Sequence, residues 1–206
     1  MPKRLLEIFK TKATTHYEAL KTQAVQAARN LPIKPESDPH TFQQLALDIG
    51  NPLLQIPNFT IEHVTNATLT PLEVSLHEAD SYKLPTLTRN LMDSHVLINE
   101  LKYTIQYKGD VQALYLTVNK SPRHEYMEFA TPFLFLYYYF QGNDDNIKAE
   151  YKAHRDRLIE AINENQKEVE DFFKEKRDSF FTMIKNEIIL KHEEVIRKRE
   201  DEQGFL

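Results

Sequence analysis

From Asn146 to Gln203 the chain contains neither proline nor glycine, and this stretch constrains the fold more than any other. Glutamate, lysine, arginine, glutamine, isoleucine and leucine dominate it, mostly residues that favour helix. Gly142-Asn143-Asp144-Asp145 stands just before it. The glycine breaks what precedes, Asn143 or Asp144 can cap a helix, and the acidic pair suits a helix's positive end. At 1.5 Å per residue the segment predicts a rod of roughly 85 Å.

Its apolar residues keep an unusual period. Ile147 and Tyr151, Leu158 and Ile162, Val169 and Phe173, and Phe180 and Ile184 are pairs four apart, and each pair follows the last by 11. Ala161, Phe172 and Met183 repeat the same step. An 11-residue repeat corresponds to about 3.67 residues per turn, so the helix should run nearly straight or supercoil slightly to the right. An apolar stripe of this kind must be buried. The rest of the chain looks too small to cover all of it. The expected interface with a second copy or a partner is therefore Leu158, Ile162, Val169, Phe172, Phe173, Phe180, Met183 and Ile184. The alternative is a helical hairpin that folds back near Asn163-Glu164-Asn165 and buries its own stripe.

Upstream, Leu5, Phe9, Ala13, Tyr17, Leu20, Ala24 and Ala28 recur at spacings of three and four, which predicts a helix from Lys3 to Asn30. Leu31-Pro32 ends it, because the residue before proline resists helical geometry. Pro32 to Pro39 reads as a linker. Asp38 should cap a short helix holding Phe42, Leu45 and Ile49, with Gly50 as its C-terminal stop. Short strands are expected around Phe59 to Val64 and from Leu72 to Leu76. Leu101, Tyr103, Ile105 and Tyr107 alternate with Lys102, Thr104 and Gln106, the pattern of a half-buried strand. With Gly109-Asp110 as its turn, a hairpin continuing through Val111 to Val118 follows. A further strand from Met127 to Phe140 is apolar on both faces, so it should be central or covered by the first helix.

These readings give an α+β fold. An antiparallel sheet of about four or five strands is covered by an N-terminal helix, and a long coiled-coil-like helix follows. The domain boundary is expected after residue 142, with a globular domain over 1–142 and a helix for assembly or docking over 143–206.

Composition limits the function. The net charge of −5 argues against a nucleic-acid duplex as the main ligand. Cysteine is absent, which removes disulfides and thiolate metal sites. No signal-peptide pattern precedes Lys12, and the longest apolar run, Phe133 to Phe140, is too short to span a bilayer. A cytoplasmic protein without a membrane partner is the expectation. Only four glycines occur, so no phosphate-binding glycine loop is present.

Catalytic strings are sparse. Arg89-Asn90-Leu91-Met92-Asp93-Ser94-His95 resembles the Arg-x(4–6)-His motif of HEPN ribonucleases. In those enzymes the two side chains act on an RNA 2′-hydroxyl and phosphate. HEPN folds carry the motif on a helix, whereas here it precedes a strand. His77, Asp80, Asp93 and His95 lack any established ligand spacing, as does His124-Glu125 with Glu128. A nuclease of the PD-(D/E)xK type would pair Asp110 with a Glu-x-Lys string, and Thr117-Val118-Asn119-Lys120 lacks the acid. No catalytic, cofactor or metal residue is assigned. The basic residues Lys191, Arg197, Lys198 and Arg199 alternate with acids and read as a solvated helix surface. The aromatics of Phe133 to Phe140 read as core rather than as a base-stacking platform.

Two segments together carry a resemblance. One is Tyr103-Thr104-Ile105-Gln106-Tyr107-Lys108-Gly109-Asp110 running on to Ser121-Pro122. The other is the aromatic strand leading through Asn143-Asp144 to Glu164-Asn165-Gln166-Lys167-Glu168-Val169-Glu170. Their order resembles an N-terminal module of bacterial defence-island proteins, in which a charged helix leads into a TIR or nuclease effector domain. The resemblance implies a non-enzymatic sensing, scaffolding or oligomerising subunit of an antiviral defence complex. This sequence stops at Leu206 without such a domain. The expectation is a subunit that works with itself or with a separately encoded effector, or a shortened form of a longer chain.

Overall fold

The computed structural model describes residues 6–56, 58–82, 84, 94–118 and 125–204. The fold is α+β, with an antiparallel sheet, an N-terminal helix and a long C-terminal helix. The strands are β1 (Leu6–Ile8), β2 (Thr11–Lys12), β3 (Phe59–Val64), β4 (Thr68–Ser75), β5 (His95–Gly109), β6 (Leu116–Thr117), β7 (Glu125–Ala130) and β8 (Phe133–Phe140). The α-helices are α1 (Ala13–Arg29), α2 (Phe42–Leu53), α3 (Leu76–Ala79) and α4 (Asp145–Gly204).

Two compact units form. One takes in the sheet and α4 as far as Lys167, and the other takes in α1, α2 and α4 from Glu168. The units therefore do not divide at 142/143, because the first part of α4 is packed into the sheet unit.

In the sheet unit the order across the sheet is β1-β7-β8-β5-β3, with β4 also on β5. The strand β5 is long enough for two neighbours on one edge. Its half from Ile105 to Gly109 pairs with β3, and its half from His95 to Lys102 pairs with β4. Five positions across thus hold six strands. The pairing of β5 with β8 runs without a break from Asn99↔Phe140 to Gln106↔Phe133. Side chains of a strand alternate between faces, so this continuous register fixes which residues share a face. Leu101, Tyr103, Ile105 and Tyr107 lie on one face with Leu134, Leu136 and Phe140. That face is closed by Ile147, Tyr151, Leu158, Ile159 and Ile162 of α4. The sequence places α1 over the sheet, but the helix found in its core is α4.

Three local expectations are revised. The first helix starts at Ala13, not Lys3. Leu6–Ile8 is a strand, and Phe9 has φ 55, which no right-handed helix accepts. Ile8 and Phe9 are fully buried in the sheet core, and the Phe9 N–H donates to Leu114 O at 2.7 Å. The helical spacing of Phe9 with Ala13 is thus accidental. The expected hairpin partner over Val111 to Val118 is instead a 3-10 turn, Val111–Tyr115. Asp110 caps it by accepting from the Gln112 N–H at 2.8 Å. The left-handed Gly109 (φ 102) sits so close to Asn58 O that a Cβ there would clash. The aromatic stretch is two strands, β7 and β8, and not one.

In the helical unit, α1 buries Ala13, Tyr17, Leu20, Ala24 and Ala28, the second part of the predicted apolar face. Gly50 is not a helix stop. It lies inside α2, where a Cβ would stand 2.3 Å from Phe181 Cε1 and 3.1 Å from Ile184 Cδ1. A glycine is required by this close approach of α2 to α4. Asp38 does act as a cap, accepting from the His40 N–H at 2.9 Å. The helix α4 is continuous and starts where the sequence places it, with Asp144 accepting from the Asn146 N–H at 2.8 Å. The hairpin alternative therefore fails. Asn165, the supposed weak point, is buried and donates to Leu116 O at 2.8 Å, while Gln166 donates to Ala113 O at 3.1 Å. Among the described residues no helix is long and apolar enough to cross a membrane.

Candidate functional site

Six of the eight residues expected at an intermolecular interface are buried within the chain. Leu158 and Ile162 lie in the sheet core. Val169, Phe173, Phe180 and Ile184 are fully buried in the helical unit. Phe172 and Met183 are half-buried. Tyr17 explains much of this. Its ring meets Phe172 at 5.9 Å, Phe173 at 6.4 Å and Phe180 at 5.8 Å. The helices α1 and α2 supply the cover that the stripe needs, so the stripe gives no surface to a partner at its buried positions. The sequence reading assigned the first helix to the sheet, and so left the stripe without this cover.

Of the catalytic candidates, Arg89 and Asp93 lie outside the described residues, as does His124. His95 is exposed at the start of β5, with its Nδ1 2.9 Å from Ser94 Oγ. His77 sits on α3, and Asp80 begins the 3-10 turn that follows. Asp110 is used as a cap. Among the distal basic residues, Lys191 donates to the carbonyls of Arg29 and Leu31, closing the end of α1.

Sequence reasoning missed the second face of the sheet. One end of it is a small core of Val74, Ala79, Val96 and Ile98, covered by Leu76, Tyr82 and Leu84. Tyr139 belongs to that core, with its ring 4.5 Å from Tyr82. Beyond it the odd-numbered residues of β8 continue along the same face as Phe133, Phe135 and Tyr137. These three belong to neither core of the sheet and keep part of their rings accessible. Their centroids are 6.4 Å apart in sequence, Phe133 to Phe135 and Phe135 to Tyr137. The register sets Lys102 beside Tyr137, Thr104 and Glu128 beside Phe135, and Gln106 beside Phe133.

This aromatic ladder is flanked by charge. Lys102 Nζ lies 4.0 Å from the Phe135 centroid and 5.6 Å from that of Tyr137. The Tyr139 hydroxyl donates to Glu100 Oε2 at 3.1 Å, and the Tyr137 hydroxyl bonds Glu128. Burial, then the hydrogen bond and negative charge of Glu128, push the Tyr137 phenol well above its usual range. Burial and the charge of Glu100 do the same for Tyr139. Glu128 Oε2 is itself buried and accepts no hydrogen bond among the described residues. Gln106 Nε2 donates to Glu62 Oε2 at 3.4 Å, adding a third carboxylate to this face.

The opposite face contains a second polar cluster. Tyr138 stacks on Tyr151 with centroids 4.4 Å apart, and its hydroxyl is 2.6 Å from His154 Nδ1. The Tyr151 hydroxyl donates to Tyr139 O at 3.0 Å, and the Arg155 guanidinium lies 4.6 Å over the Tyr103 ring. These contacts fasten α4 to the sheet.

Comparison with family models, with curated proteins and with solved structures returns no match for this chain.

Proposed function

We propose that this chain is a non-enzymatic docking subunit, and that the face carrying Phe133, Phe135 and Tyr137 is where a partner protein binds. The observation that carries the reading is the position of these rings. Beyond the small apolar core at one end of this face, Phe133, Phe135 and Tyr137 stand in a row, partly accessible, among Lys102, Thr104, Gln106 and Glu128. Aromatic side chains contribute large contact area at low entropic cost, and they are enriched at interface centres. Flat sheet faces rimmed by polar groups suit protein contacts rather than small-molecule chemistry, which uses concave pockets. The placing of such a subunit in a bacterial antiviral defence complex is supported by the sequence resemblance alone.

The test is association in cells that make the protein. Phe135→Ala combined with Tyr137→Ala should leave the thermal unfolding transition in place and abolish co-purification of the partner. Retained co-purification at wild-type level would refute the assignment of this face.

A further inference from the structure

We infer that this sheet face selects a positively charged side chain, so that the docked segment of the partner is a basic peptide presenting arginine or lysine. The inference rests on the docking reading above and names its partner chemistry. Three observations lead to it. The ladder already holds a cation, because Lys102 places its ammonium over Phe135 at 4.0 Å, within the range where ring and cation attract. Carboxylates stand along the ladder's flanks. Glu100 and Glu128 take the hydroxyls of Tyr139 and Tyr137, and Glu62 lies near the Phe133 end through Gln106. Finally, Glu128 Oε2 is buried beside the rings without a donor among the described residues. A buried carboxylate short of a donor leaves its negative charge under-compensated, which favours a cation close by. Aromatic faces with adjacent carboxylates are complementary to guanidinium and ammonium groups and unfavourable to anions.

Lys102 then acts as an in-chain occupant that an incoming side chain displaces. A guanidinium suits the site better than an ammonium, since its planar group stacks on a ring while its edge donates to a carboxylate.

The experiment is an NMR titration of the full chain, reading the ring signals of Phe135 and Tyr137. Two 12-residue peptides are compared: alternating arginine and serine, and the same peptide with citrulline for arginine. The arginine peptide should shift both rings and bind at least tenfold more tightly than the citrulline peptide. Glu128→Gln should weaken it severalfold. Lys102→Ala should strengthen it severalfold, by more than Lys108→Ala, which removes a cation from the same face but not from over a ring. Equal binding of the citrulline peptide, or equal effects of Lys102→Ala and Lys108→Ala, would overturn the cation assignment while leaving the docking reading intact. Absence of ring shifts with either peptide would also overturn it. In that case the docking reading stands or falls separately, on whether Phe135→Ala with Tyr137→Ala abolishes partner association.

Discussion

Lys102 carries its ammonium group over the ring of Phe135, two side chains on neighbouring strands joined across one face of the sheet. Removing this contact should barely disturb the fold, because cation–π pairs at accessible sites are worth about 0.5–1 kcal/mol. Lys102→Met should therefore lower the unfolding free energy by no more than about 1 kcal/mol in a urea titration. A larger loss would mean that the lysine is structural and not a displaceable occupant.

Tyr17 is the main contact through which α1 covers the stripe of α4 in the helical unit, touching three phenylalanines. Tyr17→Ala should destabilise this unit by about 3–5 kcal/mol, as expected for truncating a large buried ring. Denaturant unfolding followed by helical circular dichroism measures it.

Gly50 gives a sharper check on the close approach of α2 and α4. Alanine is the better helix former by about 1 kcal/mol, so an exposed glycine would gain from the change. Here the new methyl group would meet the buried Phe181 ring. Overpacking costs about 1–3 kcal/mol, so Gly50→Ala should be net destabilising in the same measurement. Net stabilisation would place α2 further from α4.

Alkaline pH should weaken the sheet unit. Tyr103, Tyr137, Tyr139 and Tyr151 all have phenols raised by burial, with Glu128 and Glu100 adding to the effect at Tyr137 and Tyr139. In the unfolded chain a phenol ionises near about 10. A group whose folded pKa is raised stabilises fully below that value, and the stability is lost as pH rises beyond it. Part of the tyrosinate absorbance should thus appear only with unfolding. Glu128→Gln should bring Tyr137 ionisation to lower pH.

The stripe on α4 leads to a different outcome from the one its sequence suggests. Phe173→Glu with Phe180→Glu puts two charges where both side chains are fully buried within one chain. The helical signal should fall and proteases should cut between α1 and α2. A variant that kept full helicity and only halved its molar mass would return the stripe to an intermolecular role.

Much of the fold was legible in the sequence, for identifiable reasons. The absence of proline and glycine from Asn146 to Gln203, with Asp144 ahead of it, located α4 almost to the residue. The spacing of Ala13, Tyr17, Leu20, Ala24 and Ala28 gave the buried face of α1. Periodicity shows that a stripe is buried but not by what, and so Val169 to Ile184 were assigned to a partner when α1 and α2 cover them. The aromatic row on the second face was hidden for a related reason. Phenylalanine and tyrosine count as apolar whether buried or not, so β8 read as buried on both sides. A signal was present: aliphatic Leu134 and Leu136 alternate with aromatic Phe133, Phe135 and Tyr137, and only the aliphatic set lies in the core.

The most direct test of the proposed docking role of this face is site-specific photo-crosslinking in cells that make the protein. A benzophenone amino acid replaces Phe135 in one variant and Leu97 in another; Leu97 is exposed on the opposite face of the same strand pair's sheet. A discrete crosslinked partner protein from position 135, and none from position 97, is the predicted result. The same crosslinks from both positions, or none from position 135 in a folded variant, would contradict it.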